Sequence, residues 1–323
     1  TGTVDVQGGA LELSGGGTSS GSFTGSAGST LGFGGGHSLG AASSVSGANV
    51  RFTGGTNTLA GSYVATQSTS FTGGGTSTLS GTVSGVGTAL SASGGLGIFA
   101  NAQGITTGAI TISSGGLTFN NTGGVAAATL GLSAGTLAGT AAVTVSGVMT
   151  WTGGTMTGTG QTVVNGSLLI GGATLKDITQ RTLVNAGTAT WAEGVNGRIR
   201  TGSGVVIQNT GVWQDQNTVA TQISNDFGGP ASSFVNSGSY VKSAGTNTTS
   251  IFIGFSNTGT LEANSGALTY SSNLTNEGTV SVAPGARINI GGSFTNVAQG
   301  TVRVGLGNAT TTGLLAVTGT ANL

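Results

Sequence analysis

The chain contains no cysteine, so neither a disulfide framework nor a thiolate metal site is open to it. Proline occurs only at Pro230 and Pro284, and there is no Gly-X-Y period. Collagen is therefore excluded despite 66 glycines in 323 residues. Charged residues make up only 5% of the chain and balance to a formal net charge of zero. Nucleic-acid recognition needs a concentrated basic surface, which this composition does not supply. Disordered chains combine low hydrophobicity with high net charge. Here 36% of residues are hydrophobic and the mean hydropathy is +0.24, enough to bury a core. No apolar run approaches the length that crosses a bilayer as a helix. The single histidine, His37, sits in Gly34-Gly35-Gly36-His37 and reads as an exposed, idle turn residue, because a catalytic triad or metal site would need partners this stretch lacks. Calcium-binding solenoid repeats require a recurrent Asp that does not accompany these turns, so no cofactor is expected.

What is present is repetition. Three stretches follow the template Gly-Thr-apolar-x-(Val/Ala)-x-x-Gly-Ala, beginning at Gly2, Gly259 and Gly278, with second glycines at Gly9, Gly266 and Gly285. A looser ladder of Asn-x-Gly steps runs through Asn185, Asn209, Asn236, Asn257 and Asn276, spaced 24, 27, 21 and 19 residues apart. Phe33, Phe52 and Phe71 recur every 19 residues, and Phe99 and Phe119 continue the beat at 20. Units of about twenty residues, each a short strand and a tight turn, are what a solenoid needs, one rung per unit.

The rungs have a legible interior. Two residues before the asparagines stand Leu183, Ile207, Phe234, Phe255 and Leu274, and Phe294 does the same before Asn296. Past the glycines come Trp213, Tyr240, Leu261 and Val280. Side chains two apart share a strand face, so these positions read as inward columns of like residues. Glycine supplies positive φ in the turns, and asparagine tolerates the left-handed region, which predicts a turn role for it. Short runs such as Val143–Val145, Leu168–Ile170, Val280–Val282 and Ile288–Ile290 read as strands, and no amphipathic helix emerges. Charge divides the chain: residues 1–175 carry only Asp5, Glu12 and Arg51, whereas 176–323 carry the other thirteen. Two regions are therefore expected, nearly uncharged Gly/Ser/Thr-rich rungs over 1–175 and Asn-x-Gly rungs over 176–323.

The template, the phrases Phe52-Thr53-Gly54-Gly55-Thr56 and Trp151-Thr152-Gly153-Gly154-Thr155, and the closing run Leu315–Leu323 resemble large bacterial surface and secreted β-strand-repeat proteins of the filamentous-haemagglutinin-like and autotransporter-passenger type. The resemblance covers essentially the whole chain in style. It implies an all-β, right-handed parallel β-helix exported to the cell surface, serving adhesion, biofilm matrix or stalk-like display. Implied partners are further solenoid rungs or identical copies stacked end to end, and surface glycans or receptors. Both ends begin or stop in strand-like text without a polar cap, which fits such stacking as an expectation. The matching motifs contain no catalytic residue, so no enzyme activity is expected from them.

The competing reading is chemical. Trp191-Ala192-Glu193 and Trp213-Gln214-Asp215 lie about one rung apart, with Arg198, Arg200 and Asp226 nearby in sequence. A carboxylate pair can hydrolyse a glycoside, and an adjacent aromatic ring can stack a sugar. Trp191, Glu193, Trp213 and Asp215 are thus the candidate ligand contacts, for a carbohydrate-binding or polysaccharide-cleaving β-helix. Strand geometry opposes this, since a residue two past a core tryptophan also points inward unless the strand breaks. Threonine fragments such as Thr140–Thr144 suggest an ice-binding ladder, but rungs that wander from 19 to 27 residues would break its flat register.

Overall fold

The computed structural model describes residues 2–308 and 311–323. Thr1, the first residue of the end expected to be uncapped, lies outside those residues. Two compact units make up the chain: Thr1–Gly147 with Gly154–Gln161, and Val148–Gly153 with Thr162–Leu323. The rise in charge at residue 176 falls inside the second unit. Both units are all-β, with no helix among the described residues. Their strands pair in parallel about 20 residues apart, forming a β-solenoid of about 15 turns in all. One short antiparallel pair, Leu306–Asn308 with Thr311–Thr312, departs from that pattern.

In the second unit most turns contribute one short strand to each of three faces. The first face runs through Thr188–Glu193, Val212–Asp215, Ser239–Lys242, Thr260–Ala263 and Thr279–Val282. A second runs through Arg198–Gly202, Thr221–Ser224, Thr248–Ile251, Ala267–Tyr270 and Arg287–Ile290. The third holds Thr182–Asn185, Val206–Asn209, Ser233–Asn236, Gly254–Asn257, Leu274–Asn276 and Phe294–Asn296. Strands of four residues suffice because alternation buries every second side chain, as in Tyr240 and Lys242 of Ser-Tyr-Val-Lys.

The expected columns form. Leu183, Ile207, Phe234, Phe255, Leu274 and Phe294 are successive register partners and all are buried. Trp213, Tyr240, Leu261 and Val280 make a second buried column. In the first unit Phe33, Phe52 and Phe71 are register partners, their ring centroids 5.6 and 5.1 Å apart and nearly parallel. Phe99 does not continue that column, whose next members are Ala92 and Ile112. Instead Phe99 and Phe119 extend the neighbouring column of Leu39, Leu59 and Leu79. Phe71 meets Phe99 edge-on at 6.1 Å, so aromatic contact survives the change of column.

Two sequence expectations need correcting. His37 is buried: Leu13 O lies 2.7 Å from its Nε2, its backbone N–H donates to Asn57 Oδ1, and its ring stands edge-on to Phe33. Surrounding glycines hid this, because they mark the turn before a strand whose first residue points inward. The ladder asparagines are not left-handed turn residues either. Among the described non-glycine residues only Gln180, Asn196 and Ser203 have positive φ. Each ladder asparagine ends a strand with its amide turned into the core.

Candidate functional site

Five charged side chains of the second unit, Lys176, Arg181, Glu193, Asp215 and Lys242, are buried inside the solenoid. On the first face one column reads Trp151, Ile170, Trp191, Asp215, Lys242, Ala263 and Val282. An acid and a lysine thus occupy consecutive core positions between a tryptophan and an alanine, and neither side chain is exposed at all. Trp191 faces Asp215 across the turn, not Trp213, whose partner is Ala189. The reason is length: the step from Trp191 to Trp213 is two residues shorter than the local turn, so the two Trp-x-acid phrases are out of phase.

Glu193 follows the rule that residues two apart share a face. It is buried beside Trp191, whose indole Nε1–H donates to Glu193 Oε1 at 2.9 Å. Lys176, also fully buried, forms an ion pair with Glu193 Oε2 and donates to Thr174 O at 2.9 Å and Gly172 O at 3.3 Å. Burial raises the Glu193 pKa above the ordinary carboxylate value, and the bonds from Lys176 and Trp191 only partly oppose it. Asn217 then links the two acids: its Oδ1 accepts the Glu193 backbone N–H at 2.6 Å, and its Nδ2 donates to Asp215 Oδ1 at 2.7 Å. Tyr240 donates to Asp215 Oδ2 at 3.3 Å. Lys242 Nζ stands 3.7 Å from Asp215 Oδ1 and donates to Asn217 O and Ala244 O. Burial lowers the Lys242 pKa, with Asp215 partly restoring it.

The four candidate contacts are therefore core residues. Trp191, Trp213 and Asp215 show no exposed surface and Glu193 only 5%. No strand break turns the acids outward; Thr188–Glu193 runs unbroken to the glutamate. Arg198 and Arg200 spend their charge on other acids, Arg198 on Asp226 at 3.0 Å and Arg200 on Asp177 at 2.7 Å. A surface depression of about 420 Å³ lies beside Val195, Gly197, Thr221, Gln222 and Ser250 and contains none of the four.

A second polar structure was missed by sequence reasoning. The Nδ2 of Asn185 donates to Asn209 Oδ1, and the same bond repeats from Asn209 to Asn236, Asn236 to Asn257, Asn257 to Asn276 and Asn276 to Asn296, at 2.7–2.8 Å. Each of these amides also reaches a backbone carbonyl on the next turn, as Asn209 does to Ser239 O at 2.9 Å. The chain of amides has a direction, and Asn185 Oδ1 at its open end is buried without a partner. The regular recurrence of Asn was the available signal; its placement beside glycine pointed instead to a turn.

Among the described residues no group of His, Asp and Glu could hold a metal ion, and no helix is long and apolar enough to cross a membrane. No protein-family model, curated protein or solved structure matches this chain.

Proposed function

We propose that this chain is a structural or adhesive β-solenoid of a bacterial surface or secreted assembly, acting as a stiff support. The observation that carries the reading is that Trp191, Glu193, Trp213 and Asp215, with Lys176 and Lys242 beside the two acids, are buried in the core. In the second unit, apolar columns and the asparagine ladder tie each turn to the next, and backbone hydrogen bonds do so on three faces. Extension by pulling must break these bonds in groups, a turn at a time. Outward positions carry serine, threonine and short polar side chains, a surface suited to neighbouring copies, glycans or receptors.

The carbohydrate reading through Trp191 and Trp213 would need those rings at the surface, and their burial argues against it. Single-molecule pulling of the full chain tests mechanical function: the expected record is a series of turn-sized extensions at sustained force. Collapse in one low-force event would overturn it. Location is tested by antibody labelling of intact native cells, and label that appears only after lysis would defeat the surface assignment.

A further inference from the structure

Asp215 and Lys242 are direct register partners on adjacent turns, both side chains wholly buried. Burying an ion pair in an apolar core costs more than the attraction returns unless its geometry is excellent, and at 3.7 Å this pair lacks a direct hydrogen bond. We propose that Lys242 and Asp215 are the two halves of an intramolecular isopeptide bond, an amide between Lys242 Nζ and Asp215 Cγ that covalently staples two neighbouring turns.

The surroundings supply what the reaction needs. Lys242 Nζ donates to the carbonyls of Asn217 and Ala244, at 3.3 and 3.2 Å. Two N–H bonds are thereby placed, and the remaining direction faces the aspartate. Once a proton has passed from ammonium to carboxylate, the nitrogen lone pair occupies that direction. Desolvation favours the neutral amine, lowering the Lys242 pKa. Asp215 Oδ1 accepts from the Asn217 backbone N–H at 3.1 Å and from Asn217 Nδ2 at 2.7 Å. Two fixed donors at such distances are what an oxyanion requires. Tyr240 hydroxyl bonds the other oxygen, Oδ2.

The step balances without a co-reactant. Proton transfer gives a neutral amine and a neutral acid protonated on Oδ2. Nζ attacks Cγ, and negative charge collects on Oδ1 against the two Asn217 donors. The amine then gives up one proton, Oδ2 leaves as water beside Tyr240, and the C=O at Oδ1 re-forms. Two buried charges become one neutral amide.

The second buried pair does not offer this chemistry. Lys176 Nζ is likewise held by two carbonyls, Gly172 O and Thr174 O, but its acid lacks the paired donors: Glu193 Oε1 receives only the Trp191 indole N–H and Oε2 only Lys176 itself, so no oxyanion is held. It is an ion pair.

This inference stands apart from the reading of the chain as a support. It is tested by intact mass spectrometry of the denatured full-length chain. The expected mass is one water below that of the sequence, and a protease digest yields a branched peptide joining Lys242 to Asp215. Lys242→Arg keeps the charge but forms no such amide, and its mass returns to the sequence value. A native chain at full sequence mass overturns the proposal. So does a water loss that maps to a succinimide at Asp215 or to Lys176 and Glu193. If Lys242→Arg does not fold, the peptide map of the native chain decides alone.

Discussion

Asn185 and Asn209 face each other across adjacent turns, the Nδ2 of the first donating to the Oδ1 of the second at 2.7 Å. That bond is the first of a run through Asn236, Asn257, Asn276 and Asn296, and the run gives the second unit a polar spine inside an apolar core. Each interior asparagine serves as donor below and acceptor above, so deleting one strands its neighbours.

Asn236→Ala removes the donor to Asn257 Oδ1 and the acceptor of Asn209 Nδ2. A buried polar atom left unpaired costs about 1–3 kcal/mol, so the expected loss is about 2–3 kcal/mol. Asn296→Ala, at the end of the run, orphans no further asparagine oxygen; only the part-buried Gly300 O loses a donor, and Asn276 Nδ2 keeps Gly278 O and Thr301 O. It should cost only about 1 kcal/mol. Urea titration followed by circular dichroism ranks the two. Equal losses would mean that the ladder is not energetically connected.

Trp191 and Trp213 are equally buried but differently employed. The Trp191 indole donates to Glu193, whereas Trp213 Nε1 is buried with no partner. Trp191→Phe leaves Glu193 Oε1 short of a donor and creates space, whereas Trp213→Phe removes an orphan N–H and keeps an aromatic ring between Phe234 and Tyr240. The first should be the more destabilising by about 1–3 kcal/mol, read from denaturation midpoints. A larger loss for Trp213→Phe would show that shape, not the hydrogen bond, dominates.

These contrasts show which parts of the molecule were legible in the sequence. The columns could be read because strand alternation and a recurring turn leave few ways to place Ile207, Phe234 and Phe255. Inward pointing of Glu193 and Asp215 followed from the same rule once each tryptophan was taken as core. Partners were not legible. Asp215 opposite Trp191 depends on a two-residue difference in phase, and Lys176 reaches Glu193 from another face. Phe99 leaves the Phe71 column because additional strand residues intervene, which a spacing count cannot distinguish from a longer loop. Asparagine beside glycine fits both a left-handed turn and an inward amide, and only register separates them.

The template glycines divide by physical role, and alanine substitution should separate them. Gly259 has ordinary φ, yet a Cβ there would overlap the Gly238 carbonyl of the turn before, and Gly278 stands likewise against Gly259. Backbone cannot yield as a flexible side chain does, so Gly259→Ala should cost about 3 kcal/mol. Gly9 is open but held at φ 70°, so its substitution should cost about 1 kcal/mol from backbone strain alone. Gly2 has open space and ordinary φ, and Gly2→Ala should stay within about 0.5 kcal/mol of the parent. Thermal melts of the three variants check the order.

The buried ionisable groups set the pH response. Glu193 has a folded pKa raised by burial, so its contribution is fully present below the ordinary value of 4.5 and is lost as pH rises through the folded value. Glu193→Gln should therefore flatten stability against pH immediately above 4.5, measured as urea midpoints across that range. At the alkaline end all three tyrosines, Tyr63, Tyr240 and Tyr270, are buried with raised pKa values, the first cause in each being desolvation. Their contribution is whole below the ordinary value of 10.0 and is lost as pH climbs through the folded values. The folded chain cannot ionise them near pH 10, so phenolate absorbance should appear only together with loss of the β-sheet circular dichroism signal. A phenolate rise that precedes unfolding would show that water reaches these hydroxyls, and with them the Asp215 site, in the native state.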